Sequence, residues 1–252
     1  MPHKIWVLFT VVSFVVFNGL ALSEAWQASE EHFSRTNATR IFSSPIAMAP
    51  KCWKLSYLGV PLGEYRSSME RDVVELRQKV SLKVEASGLK GPLSTLAGAG
   101  SIQATGDVVY DLLQNFSYAD IDWKAGTMEG RIFLRRQGSV IQVSVLTPDG
   151  QATRQIPWNP DEMPGADLFS SLSVPGLQKG ESWSLPMVHP LTGEREALRA
   201  RATSFDTPAD AWNVDILRSG TVVATAQIRP SGELEGLECL GFSARIQREE
   251  AP

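Results

Sequence analysis

The side chains that usually carry catalysis or bind metals are scarce in this sequence. Only two cysteines and three histidines occur among 252 residues. Two cysteines cannot build a disulfide-dense scaffold, and no Cys-x-x-Cys or His-x-x-x-His spacing exists, which argues against structural zinc. No basic block exists either. The 24 basic and 28 acidic residues are interspersed and leave a net charge of −4. Nucleic-acid binding demands a concentrated basic face, so that class is set aside. Internal repeats and low-complexity tracts are missing. Gly98-Ala99-Gly100 lacks the third glycine of a dinucleotide loop, with Gln103 in its place, and reads as a plain connection.

One long apolar run stands out, Ile5–Leu22, preceded by Lys4 and followed by Ser23-Glu24. A short basic start, an apolar centre and small residues at the exit describe a secretory signal peptide. Ala21-Leu22-Ser23 and Ser23-Glu24-Ala25 both suit a signal peptidase. An uncleaved anchor is the competing reading, because the 18 residues of the run approach the length needed to cross about 30 Å of hydrocarbon. Asn18-Gly19 interrupts the run, which favours cleavage. No cysteine lies near its end, which excludes a lipid-modified N-terminus of the bacterial lipoprotein kind.

The sequence therefore divides into a signal peptide or anchor (1–25), a polar linker (26–50) and a β-rich extracytoplasmic domain (51–250). Within the last, Val74, Leu76, Val80, Leu82 and Val84 alternate with Glu75, Arg77, Lys79, Lys83 and Glu85, the signature of a half-buried strand. A hairpin is expected from Trp53–Leu58 and Glu64–Glu70 around the turn Gly59–Gly63. Thr147-Pro148-Asp149-Gly150 and Ser219-Gly220 mark further turns. Asp107–Phe116 fits either a short helix or a buried strand. Asn159–Gly180, with three prolines, reads as a crossover with one helical turn. Roughly ten strands are expected. The fold class is all-β with few short helices, a mostly antiparallel sandwich or half-open barrel, preceded by an N-terminal hydrophobic helix.

Tyr57-Leu58-Gly59-Val60-Pro61-Leu62-Gly63-Glu64, Asp122-Trp123, Asp167–Leu172 and Gly176–Trp183 occur in an order that resembles the domain-of-unknown-function 3108 family of bacterial envelope proteins. The chain is similar also to β-rich N-terminal domains of transglutaminase-like proteins, where a Gly-x-x-Trp strand leads into a segment like Leu185–Pro190. The resemblance runs from Cys52 to Arg248 and fails over Lys90–Gly106. It implies an exported antiparallel β domain and supplies no catalytic residues.

Candidate sites are few. His189 is the only histidine of the domain; a nucleophile would need it within hydrogen-bond reach, and it reads first as a surface histidine at a strand end. Cys52 opens the first strand and Cys239 sits in the last. In an oxidising compartment a bridge between them fits, and closing so long a loop could add about 5 kcal/mol; two isolated thiols fit as well. Asp120 with Asp122, and Asp161-Glu162, read as solvated carboxylates without a calcium-loop series. Asn37 and Asn115 lie in glycosylation sequons. Trp53, Trp183 and Trp212 open strands and read as core. Trp123 and Trp158 sit beside turns and read as exposed ligand contacts. The expected role is noncatalytic: binding or structural support in the cell envelope, with no cofactor, periplasmic or extracellular. The partner is an envelope protein or an apolar ligand, with membrane contact through residues 5–22 if they are retained. A carrier enclosing a lipid in a half-open barrel is the alternative, and Ala200, Ala202, Ala224 and Ala226 would leave it room. A hydrolase using His189 ranks last.

Overall fold

The computed structural model describes residues 50–85, 100–112, 115–158, 163–164, 176–188, 195–239 and 242–247. The first half of the domain is a meander of eight strands: β1 (Lys51–Tyr57), β2 (Val60–Arg71), β3 (Glu75–Glu85), β4 (Ser101–Asp111), β5 (Phe116–Ala125), β6 (Met128–Gln137), β7 (Val140–Thr147) and β8 (Gly150–Pro157). The second half contributes β9 (Met163–Pro164), β10 (Ser182–Val188), β11 (Arg195–Asp206), β12 (Ala211–Arg218), β13 (Thr221–Ile228), β14 (Leu234–Cys239) and β15 (Phe242–Ile246). All belong to one sheet, in the order β8-β7-β6-β5-β4-β3-β2-β1-β15-β14-β13-β12-β11-β10-β9. Every pairing is antiparallel except β9 with β10. The protein is therefore all-β, and the sheet is not closed: β8 and β9 are its two edges.

The first and last strands meet in the middle. β1 pairs β2 on one side and β15 on the other, with Trp53 opposite both Tyr65 and Ile246. It is thus the splice between the two meanders. Period-two alternation gives each strand one apolar face. In β3, Leu76, Gln78, Val80, Leu82 and Val84 are buried, while Lys79, Lys83 and Glu85 are exposed. Gln78 is the polar exception, and its amide oxygen accepts a hydrogen bond from the Tyr110 hydroxyl at 3.4 Å.

The inward residues of both halves form one contiguous core. A flat sheet of fifteen strands would leave an apolar face in water, so this one curls onto its own side chains. Arg195, at the start of β11, donates to the carbonyl of Pro157 at 2.8 Å, which ties the end of β8 to the opposite half where no ladder joins them. Large and small residues alternate across the strands. Trp123 lies between Ala104 and Gly130, and Trp183 faces Ala200, which faces Ile216, which faces Ala224. Each bulky ring occupies the space its small neighbours leave. The alanines expected to line a cavity are covered: Ala200, Ala202 and Ala226 are fully buried and Ala224 nearly so.

Edge strand β8 is exposed along most of its length. Its Arg154 pairs with buried Val143 and so lies on the inward side, beside Ile156. A charge on the inward face of an edge strand disfavours pairing with another chain.

Several expectations are corrected. The first hairpin turns at Leu58-Gly59, both with positive φ (49° and 79°), and β2 already begins at Val60. The ambiguous segment 107–116 is not a helix: β4 runs through Asp111 and β5 starts at Phe116. Its apolar run arises because both faces are covered there. Val108 and Tyr110 enter the core, whereas Val109 lies on the other face opposite Arg77 and Tyr118 and is buried as well. The single last strand is a hairpin of β14 and β15. Among the described residues, fifteen strands replace the ten expected. The hydrophobic leader, the linker before Pro50, and the helical turn expected at 166–172 in the crossover lie outside the described residues.

Candidate functional site

Strand lengths create a notch beside the splice. β1 starts at Lys51 opposite Ser67, but β2 continues to Arg71 alongside β3. On the other side β15 ends at Ile246, with the Gln247 amide donating to the Cys52 carbonyl at 2.7 Å. β14 pairs β15 only from Gly236 onward. A groove of about 1100 Å³ results, bounded by β2 and by the start of β14, with Pro50, Lys51, Cys52 and Gln247 along its floor. Residues of both sheet faces line it: Ser67, Val80 and Leu234 from the core side, Cys52, Arg66 and Ser81 from the other.

Charges in and around the notch come in opposed pairs. Glu64 accepts from Lys54 at 3.0 Å and from Arg66 at 2.9 Å. The Lys54 hydrogen bond, followed by that of Arg66, holds the Glu64 carboxyl below the usual range. Arg229 grips Glu235 with two hydrogen bonds of 3.2 and 3.3 Å. Lys51 approaches Glu233 at 3.7 Å and Lys79 reaches Glu70 at 2.7 Å. The result is a polar, nearly neutral groove rather than an anion funnel. A cysteine nucleophile needs a base such as imidazole; the Cys52 thiol instead lies 3.9 Å from Glu64 Oε2.

A second, smaller groove of about 530 Å³ crosses β4 to β7. Gln103, Thr105, Lys124, Glu129 and Leu146 rim it, with Trp123 and Gly130 in its floor. Arg131 pairs with Asp120 and stands 3.9 Å from Asp122. Asp120 and Asp122 thus share one face, as a strand requires, and share one guanidinium. Hydrogen bonding to Asp120, then the carboxylate charges, raises the Arg131 pKa above its ordinary value.

The two tryptophans read as exposed contacts are both buried. Trp123 points inward from β5, and its ring lies across the bare backbone of Gly130, where an added Cβ would come within 2.8 Å of the indole. Trp158 follows β8 into the core, with the Arg136 guanidinium 5.2 Å from its ring centroid. Position beside a turn suggested exposure; strand parity decided otherwise. The indole N–H groups of Trp158 and Trp183 are buried without a hydrogen-bond acceptor among the described residues.

Cys52 and Cys239 are not bridged; both are free. The first and last strands are neighbours, as a bridge would need, but Cys239 lies on β14 at the other end. It faces Phe242, which faces Tyr57, five residues along β1 from Cys52. At about 3.3 Å per residue that separation far exceeds the span of roughly 7 Å a disulfide tolerates between Cα atoms. Burial pushes the Cys239 thiol up to about 11, so it stays protonated at neutral pH. Asn115 is held by Asp111, which accepts from its side-chain nitrogen at 3.0 and 3.2 Å. His3, His32, His189, Asn37 and Asp161-Glu162 lie outside the described residues. Among the described residues no three of His, Cys, Asp and Glu gather as metal ligands would.

No protein-family model matches the chain, and no curated protein does. One solved structure is similar, the crystal structure of a DUF1089 family protein from Pseudomonas aeruginosa. It is 14% identical, with a TM-score of 0.36, over 68% of this chain and 86% of that one. So slight a likeness supports no argument about function.

The notch residues Lys51, Arg66, Arg229 and Glu233 were not singled out in the sequence. Nothing local marks them. The notch exists because β1 is shorter than β2, a property of pairing that no residue type announces.

Proposed function

We propose that this chain is an exported, noncatalytic β domain that binds or supports another protein of the cell envelope, using the notch beside β1 as its contact. Its curled sheet is best understood as a half-open barrel. The observation that carries this reading is the division of labour between the two faces. Inward side chains are consumed in one apolar core, while most charged residues around the notch are matched by opposite partners. Such a surface offers hydrogen bonds and shape to a partner. Export rests on the Ile5–Leu22 run.

A photo-crosslinking residue in place of Ser68, at the notch, tests the proposal in intact cells. A discrete adduct with an envelope protein is expected, and Lys51→Glu with Arg229→Glu should reduce it at least about tenfold, as loss of paired interfacial charges does. No adduct from Ser68, or one from an exposed site such as Ser219 alone, sinks the notch assignment. Recovery of the protein in the cytoplasm sinks the envelope reading.

One observation favours a second reading, the lipid carrier. The buried, unpartnered indole N–H groups of Trp158 and Trp183 are donors that a ligand's ester or headgroup oxygen would satisfy. Against it, the alanines that would leave a cavity are covered.

A further inference from the structure

Large apolar side chains are exposed at both ends of the sheet, Leu58 and Val60 at the β1–β2 turn and a more exposed group at the other end. The tip joining β2 to β3 presents Val73 at 84% exposure and Val74 at 70%; Leu112, on the neighbouring tip after β4, is 45% exposed. The two tips are adjacent because Glu75 pairs with Asp111. Both are braced. The Asp72 amide donates to the Glu75 carbonyl at 2.9 Å, the Asp72 carboxylate accepts from the Val73 amide at 2.6 Å, and the Asp111 carboxylate accepts from the Asn115 amide at 2.8 Å. The valines are thus held outward on an ordered turn, forming a contiguous apolar patch rather than scattered single side chains.

Most charges around the patch are paired; of the two exposed residues just before Val73, Asp72 accepts from the Val73 amide and Arg71 has no ion pair among the described residues. Arg77 bridges Glu75 at 2.7 Å and Asp107 at 3.1 Å. Arg136 lies 3.7 Å from Asp111, and Lys79 pairs with Glu70. Unpaired charges would have to be desolvated at an apolar surface, and pairing lessens that cost. The patch also lies at the end where the chain enters the sheet. Lys51 pairs with Ser67, six residues before Val73, so the tip projects roughly 20 Å past the entry point. If residues 5–22 are retained as an anchor, the 25 linker residues 26–50, which span up to roughly 80 Å, let that anchor and the tip meet one membrane.

We propose that Val73, Val74 and Leu112 form a membrane-contacting tip that sits in the interface of a lipid bilayer. This deepens the envelope reading and rests on it. The chemistry recognised is the neutral apolar layer beneath the headgroups, because the patch carries no surplus of positive charge for anionic lipid.

Spin labelling tests it. The full chain, with Cys52→Ser, is labelled at Val74→Cys or, at the opposite end, at Val60→Cys, which is 52% exposed, and added to phosphatidylcholine–phosphatidylethanolamine vesicles. The label at 74 should be more accessible to oxygen than to a water-soluble nickel chelate by about threefold or more, as for a group several ångströms into the interface. The label at 60 should show the reverse. Contact should persist in high salt and be lost in a Val73→Ser/Leu112→Ser background whose circular dichroism is unchanged. A label at 74 that stays as open to nickel as the label at 60, or immersion of 60 instead, overturns the tip. Cell fractionation reads the envelope assignment separately, so the two fail independently.

Discussion

Replacing Trp53 with alanine is expected to destabilise the domain by about 3–5 kcal/mol, the range for emptying a buried large aromatic. Trp53 is fully buried and sits on β1, which pairs with β2 of the first meander and with β15 of the second. Its ring packs at the junction where Tyr65 of β2 and Ile246 of β15 flank it, so truncation opens a cavity at the splice itself. A domain of this size loses about 2–4 °C of Tm per kcal/mol, which gives a fall of roughly 6–20 °C. Trp53→Phe keeps most of the apolar volume and should cost less than half as much. Urea unfolding followed by circular dichroism measures both. A Trp53→Ala loss below about 1 kcal/mol, the range of surface substitutions, would mean that the two halves do not depend on this strand.

Gly106→Ala is expected to be nearly as damaging, for a different reason. Gly106 of β4 faces Ile121 of β5, and a Cβ there would lie 2.1 Å from the Asp120 carbonyl oxygen and 2.7 Å from the Ile121 Cα. Both obstacles are backbone, so no rotamer change relieves them, and the β4–β5 ladder has to part. Overpacking of that kind costs about 3 kcal/mol, seen as a fall in Tm with an unchanged spectrum. Gly236→Ala is the control. Its added methyl meets the end of the Gln227 side chain at 3.3 Å, which can swing away, and the stability should change by less than about 0.5 kcal/mol. Equal effects at the two glycines would contradict the close approach of β4 and β5.

Much of the fold was legible because strand parity is local. The alternation over Leu76–Val84 predicted β3, although Val74, read as its first inward residue, is exposed just before it, and Ser219-Gly220, both with positive φ, marks the β12–β13 turn as read. What the residues could not reveal were long-range facts. The doubled burial that makes 107–111 resemble a helix comes from Arg77 and Tyr118 on neighbouring strands. The turn between β14 and β15 carries only a weak signal in Cys239–Phe242. The disulfide reading required the first and last strands to be neighbours, as β1 and β15 are, yet it treated a hairpin as one strand and so misjudged the distance between the thiols. Trp123 and Trp158 were assigned by proximity to turns, when the parity of β5 and β8 was the better guide. The notch and the paired tips depend on which strands are neighbours and where each one stops. Neither can be seen without the register.

The central claim is that the inner face of the sheet is satisfied by the protein's own side chains. Native mass spectrometry of the protein, purified from its cell envelope without denaturation, tests it most directly. The account predicts the mass of the bare polypeptide, unchanged after organic extraction. A stoichiometric adduct of lipid mass that disappears on extraction would contradict it and would establish the carrier.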